Sequence, residues 1–243
     1  MVMKQSSIIV LLLILAIKFP ISAQRHNKTP LLKPSKIVKL KVQEPSDLTS
    51  THKDELIFVS DNGYFSKTDY LGSSYTKGKF TGVDFEGICF DGQYLYLVEE
   101  FTSRVHKINP VSLERIQTFQ INFQGGRNDG FEAIAYNPNE KCFYLISEHS
   151  PNLIKSDLEF KTIDIVELSS IGEVSGAVWH QDQLWVLSDE NRTISILSTS
   201  TYLKEREFKI NVNNPEGITI SKTGQLLICS DDDRKLYYFD LPK

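Results

Sequence analysis

Acidic and hydroxyl side chains recur in this chain at two fixed places of one repeated pattern. The first heads a short segment: Pro45-Ser46-Asp47-Leu48, Phe85-Glu86-Gly87-Ile88, Phe131-Glu132-Ala133-Ile134, Val174-Ser175-Gly176-Ala177 and Pro215-Glu216-Gly217-Ile218. The second closes an apolar run, at Asp61, Glu100, Glu148, Asp189 and Asp231. If the two segments of each unit are antiparallel neighbours, the start of one lies beside the end of the other. That pairs Ser46 with Asp61, Glu86 with Glu100, Glu132 with Glu148, Ser175 with Asp189, and Glu216 with Asp231. Eight carboxylates gathered at one place cannot all stay ionised without cations or raised pKa values. Oxygen donors without Cys or clustered His suit Ca²⁺, and suit Mg²⁺ less because of its tighter octahedron. Glu86, Glu132 and Glu216 are the expected principal ligands, assisted by some of Asp61, Glu100, Glu148, Asp189 and Asp231. A structural reading competes: the same acids can accept backbone N–H bonds or join blades through salt bridges.

The elements that would hold these residues follow from the spacing. Ser46, Glu86, Glu132, Ser175 and Glu216 stand 40, 46, 43 and 41 residues apart, a period that fits four-stranded blades. Turn residues separate the two segments of each unit, at Lys53-Asp54, Asp91-Gly92, Pro138-Asn139, Gln181-Asp182 and Thr223-Gly224. Third strands are expected over 64–69, 105–109, 153–157, 194–198 and 235–241. Fourth strands are expected over 76–83, 115–121, 162–168 and 205–210. The last unit ends before a fourth strand, and the alternating segment Ile37 to Val42 is expected to supply it and close the ring. The fold class predicted is all-β, a five-bladed propeller. A β-sandwich is the competing architecture, but sandwiches do not keep such a period.

Composition agrees with that class. With 243 residues and 40% apolar content, one large domain can bury a continuous core. Ten Tyr and fourteen Phe favour strands. The formal charge of −4, with scattered basic residues, excludes the stripe expected of a nucleic-acid binder. Cys89, Cys142 and Cys229 lie in strand segments without metal-type spacing and read as small buried hydrophobes.

Lys4, the apolar run Ile8 to Ile17 and Ile21-Ser22-Ala23 resemble a signal peptide over residues 1–23, or an N-terminal anchor. Cleavage would remove Lys4 and Lys18 and leave a formal charge near −6. Residues 24–35 read as a linker, with Pro30 and Pro34 among polar residues, and 36–243 as the propeller. The expected product is a monomer in the periplasm, cell envelope or extracellular space, with no membrane span once the signal is cut.

Other candidates carry less. His149 follows Glu148 and can approach the same mouth. Trp179 and Trp185 flank the fourth hairpin and suit blade packing. Asp231-Asp232-Asp233 lacks the glycine and distal Glu of an EF-hand loop.

Pro-Ser-Asp-Leu, Phe-Glu-Gly-Ile, Phe-Glu-Ala-Ile-Ala-Tyr, Ser-Gly followed by Leu-Ser-Asp-Glu, and Pro-Glu-Gly-Ile, in that order over residues 37–242, resemble the bacterial SdiA-regulated family. The resemblance implies a five-bladed propeller similar to NHL-repeat proteins, a calcium site on the matching acids, and an exported or anchored chain. Ser46 and Ser175 replace Glu in two blades and make the ring asymmetric.

Two functions remain open at this stage. One is a calcium-stabilised binding module for a protein, glycan or small ligand. The other is a metal-dependent hydrolase of a lactone, ester or phosphoester, with Glu148, His149 or Glu100 as base. No Gly-x-Ser-x-Gly elbow, zinc-type His cluster or phosphate loop supports a further enzyme class.

Overall fold

The computed structural model describes residues 28–53, 55–72, 74–122, 130–149 and 151–242. Residues 1–23, expected as a signal, lie outside them, as does Asp54 of the first predicted turn.

Five sheets, antiparallel but for one short parallel pair, make up the described fold, and no helix occurs among the described residues. Blade one pairs Pro45–Ser50, Glu55–Ser60, Phe65–Asp69 and Thr76–Lys77 in sequence order. Blade two follows with Phe85–Phe90, Leu95–Glu99, Arg104–Ile108 and Arg115–Gln120. Blade three comprises Phe131–Asn137, Cys142–Ser147, Asn152–Ser156 and Thr162–Glu167. Blade four comprises Gly176–His180, Gln183–Ser188, Thr193–Leu197 and Lys204–Ile210. Pro215–Ile220, Gln225–Ser230 and Lys235–Asp240 form blade five, whose outer strand is Lys36–Lys39, antiparallel to Lys235–Asp240.

Burial explains the order of strands. The second strand of each blade is apolar on both faces because neighbouring blades cover both, as in Leu56, Ile57, Phe58 and Val59. Outer strands such as Arg115–Gln120 and Thr162–Glu167 are largely exposed, and they alternate polar residues with the exposed Ile116, Ile163 and Ile165. The apolar core divides into five clusters, each joining two neighbouring blades. The cluster that joins the ends of the chain sets Leu48, Leu56 and Phe58 of blade one against Leu227, Cys229 and Tyr238 of blade five. Five interfaces among five blades form a closed ring, since an open row would have four. The three cysteines are buried and free, in keeping with their reading as hydrophobes.

Three expectations need correction. The fourth strand of blade one is only Thr76–Lys77, not 76–83. Beyond Lys77 the chain bends at Lys79 and Val83; between them the Gly82 amide bonds the Gly63 carbonyl at 2.9 Å, and a side chain at Gly82 would strike Phe85. Residues 24–35 are also not a free tether throughout: Leu31–Leu32 pairs in parallel with Lys204–Ile210 at the edge of blade four. The closing strand is shorter than expected, because Leu40 and Val42 leave the sheet edge for the core between blades five and one.

Candidate metal centre

The inner strands lie side by side around a central channel, all starting at the same end. In four blades the pairing between inner and second strand slips at that start: between Pro45 and Asp47, Phe85 and Ile88, Phe131 and Ala133, and Pro215 and Gly217. Such bulges bend a strand and re-aim the side chain at the slip. Ser46, Glu86, Glu132 and Glu216 occupy these slips, so they escape the in-out alternation that would bury them in a blade face. In blades two to five the next residue is small, because the strands crowd at the axis. A Cβ on Gly176 would come within 2.9 Å of the Glu216 carbonyl oxygen, and one on Gly217 within 2.5 Å of the Asp47 Cα.

Four of the eight expected acids are brought together. Oxygens of Glu100, Glu132 and Glu148 lie within 4.8 Å of one another, and so do oxygens of Asp84, Glu86 and Glu100. Glu100 belongs to both trios and links blades two and three. Ligand oxygens on opposite sides of a Ca²⁺ ion, each about 2.4 Å from it, are about 4.8 Å apart. Both trios therefore fit the span of one coordination sphere, and their all-oxygen donor set is of the right chemical kind. Ca²⁺ asks for more ligands than three, which backbone carbonyls and water commonly supply.

Electrostatics point the same way. The Glu86 and Glu132 carboxyls are pushed far above the carboxylate range, first by burial and then by neighbouring acids: Asp61 and Asp84 on Glu86, and Glu86, Glu100 and Glu148 on Glu132. Glu100 and Glu148 are raised mainly by burial. Burial followed by Asp189, Asp61 and Asp231 lifts Glu216 to about 8. Cationic influences on this ring come from His149, on Glu148, and Arg234, on Asp231. An acidic group so poorly compensated invites a multivalent cation.

The remaining expected residues stand apart from the trios. Ser46 donates to Asp61, whose carboxyl is raised by burial against that bond. Glu216 accepts from the Asn214 side chain at 2.6 Å. Ser175 donates to the Pro215 carbonyl at 2.7 Å, so this serine ties blade four to blade five. Asp189 and Asp231 reach the ring through their charge on Glu216. His149 is held between Glu148 at 2.7 Å and Glu173 at 3.3 Å, and about half its side chain is exposed.

Three acids escaped the sequence reading. Asp84 precedes an inner strand with φ of 62°, and Glu44 and Asn214 take the same left-handed turn before their strands at 49° and 43°. The turn carries Asp84 back towards Glu86; its signal is the polar residue two positions before each of these three repeat heads. Glu173 enters through its contact with His149. Asp47 was legible only as part of a motif. It is fully buried, and it accepts the amides of Leu48 at 2.7 Å, Ile88 at 2.9 Å and Ile218 at 3.2 Å. It fills the axial position that Gly87, Ala133, Gly176 and Gly217 leave small in the other blades, and it binds blades one, two and five together.

The SdiA-regulated family model matches residues 76–240. The chain belongs to the SdiA-regulated family. No curated protein matches the chain in sequence. Among solved structures, the glutaminyl cyclase of Myxococcus xanthus superposes with a TM-score of 0.71 over 88% of this chain and 98% of that one, at 10% identity. At that identity the likeness shows the fold alone. This member of the SdiA-regulated family is thus a five-bladed propeller with an acidic channel mouth.

Proposed function

We propose that this propeller is an exported, calcium-stabilised binding module of the cell envelope, whose channel mouth holds a divalent cation. The carrying observation is that Glu100 belongs to two carboxylate trios, each compact enough for one coordination sphere. Glu86, Glu100, Glu132 and Glu148 would hold the ion, with Asp84 at its edge. Bound there, the cation would neutralise the repulsion among these acids and join blades two and three. The signal-like residues 1–23 support export. Calorimetric titration of chelator-treated protein with Ca²⁺ tests the site: saturable uptake that Glu132→Gln weakens at least tenfold agrees with it, and absence of heat refutes it.

A second reading, a metal-dependent hydrolase of lactones, esters or phosphoesters, draws on the His149 imidazole oriented by Glu148 and Glu173. A cation at the mouth would supply a Lewis acid, and His149 or Glu148 would accept a proton from water. Metal-dependent hydrolysis lost in His149→Gln, with Ca²⁺ uptake intact, would favour this reading over the first.

A further inference from the structure

The inner strands that start at the carboxylates end at a second mouth, one strand length away. All five of them and the turns that follow line a cavity there of about 370 Å³, which continues inward as a throat of about 60 Å³. The larger volume falls within the range of small-ligand sites, about 300–1,000 Å³.

The lining is two-sided. Blades two, three and four contribute an arc of aromatic rings, Phe90, Tyr136 and Trp179. Each is rooted in a different core cluster and only partly buried, which leaves part of its surface uncovered. Neighbouring rings fix them in place. His52 meets Phe90 edge-on at 5.1 Å, Phe143 lies against Tyr136 at 5.1 Å, and Tyr144 stacks on Trp179 at 5.9 Å. Blades five and one complete the circle with Lys222 and His52, joined by a bond from the Lys222 ammonium to the His52 carbonyl at 3.1 Å.

The two ionic groups of this lining, Asp91 and Lys222, are not equally free. Asp91 turns both oxygens onto its own hairpin. Its Oδ1 accepts the Gln93 amide at 2.7 Å and the Tyr94 amide at 2.6 Å, and its Oδ2 accepts the Tyr96 hydroxyl at 3.0 Å. The Lys222 ammonium has three N–H groups, spends one on a neutral carbonyl and meets no carboxylate among the described residues. A cationic ligand would face this ammonium and find the Asp91 oxygens occupied. A ligand with an aromatic ring and an acid group matches both sides: the ring covers the aromatic arc, and the acid takes the remaining N–H groups of Lys222 in a charge-assisted pair. We propose that the mouth opposite the carboxylates binds a small aromatic acid, its ring against Phe90, Tyr136 and Trp179 and its carboxylate on Lys222. This rests on the binding-module reading and names a ligand class for it, and it requires no cation.

The test is calorimetric titration of the whole protein with phenylacetate, 4-hydroxyphenylacetate and indole-3-acetate, and with the neutral phenylacetamide and the cationic phenethylamine. Each titration is run with Ca²⁺ and with chelator. The expected result is saturation by at least one of the acids with Kd near or below about 1 mM, unchanged by chelator, and at least fivefold weaker binding of phenylacetamide. Lys222→Met removes an exposed charge outside the core and should erase the preference for acid over amide. Trp179→Ala should weaken the acid at least fivefold, and Lys222→Met keeps the test decisive if that variant does not fold. The proposal is overturned by absence of saturation with every acid, by amide or amine binding as tightly as acid, or by a preference that survives Lys222→Met. Binding abolished by chelator would overturn it too, since the acid would then sit on a metal at the other mouth. Failure of the cation reading would look different: no Ca²⁺ heat, with acid binding intact.

Discussion

Asp47 and Glu132 stand one residue apart in register at the same end of the channel, and both carboxyls are driven upward by burial. Their surroundings differ. Three backbone amides from three blades point at Asp47, and its main electrostatic neighbour is Glu216 alone. Glu132 faces Glu86, Glu100 and Glu148, and shares a hydrogen bond with Glu100. The first carboxylate is provided for by the fold itself. The second is provided for only by other acids. A structural acid can thus be told from a candidate ligand by what its oxygens meet, and four substitutions or conditions can break or sharpen the distinction.

The largest effect is expected from Asp47→Ala. Three amides on three blades would lose a shared acceptor, and each buried amide left unpaired costs about 1–3 kcal/mol, not additively. A loss of at least about 3 kcal/mol in chemical denaturation is expected, with or without Ca²⁺. A loss below about 1 kcal/mol would mean that Asp47 does not hold the ring.

Next comes the cation. At a hundredfold excess over its Kd, a ligand that binds only the folded state adds about 2.7 kcal/mol, and for a chain of this size that raises Tm by roughly 5–10 °C. Ca²⁺ should do this for the natural protein and for no variant lacking Glu132. An equal shift in Glu132→Gln would move the ion elsewhere.

The effect of pH on chelated protein should be comparable or smaller. The ordinary value for Glu86, Glu132 and Glu216 is 4.5, and all three are raised in the folded state, Glu216 to about 8. The folded protein therefore binds more protons than the unfolded chain above that ordinary value, and stability falls as pH rises through 4.5 towards 8 and beyond. Denaturation series from pH 5 to 8 should show a decline on the order of 1–3 kcal/mol, and saturating Ca²⁺ should flatten it. Rising stability over that range in chelator would contradict the electrostatic account of the mouth.

The smallest effect has the most telling sign. In chelator, Glu132→Gln removes one member of a mutually repelling set and should leave stability unchanged or raise it by about 1 kcal/mol. A loss above about 2 kcal/mol would place Glu132 beside Asp47 as a structural residue.

Much of the ring was legible in the sequence because the repeat imposes the same physics on each blade. The apolar second strands, their terminal acids and the small residue after four of the five repeat heads reflect burial between blades and crowding at the axis. What the period could not reveal is where the backbone leaves its regular path. The left-handed turn at Asp84 adds an acid to the mouth, and the bulges decide which acids face the channel. Parity explains why Glu99 differs from its neighbour Glu100. Only 4% exposed, Glu99 accepts from the Val83 amide at 3.0 Å and from Thr102, and sits 3.3 Å from His106. Burial pushes its carboxyl upward, but those partners bring it below the usual range. The fourth strand of blade one ends early for a local reason as well, since the chain bends at Lys79 and Val83 and runs so close to Phe65 and Phe85 that only glycine fits at 78 and 82.

An ion at Glu100 is the central requirement of a cation-holding mouth. Crystals grown in saturating Ca²⁺ and measured at long wavelength would locate it by anomalous scattering. The expected result is a peak about 2.3–2.6 Å from an oxygen of Glu100 and of at least two among Glu86, Glu132 and Glu148. A map with no peak at this mouth at saturating Ca²⁺ would contradict the account and leave the acids as a structural ring.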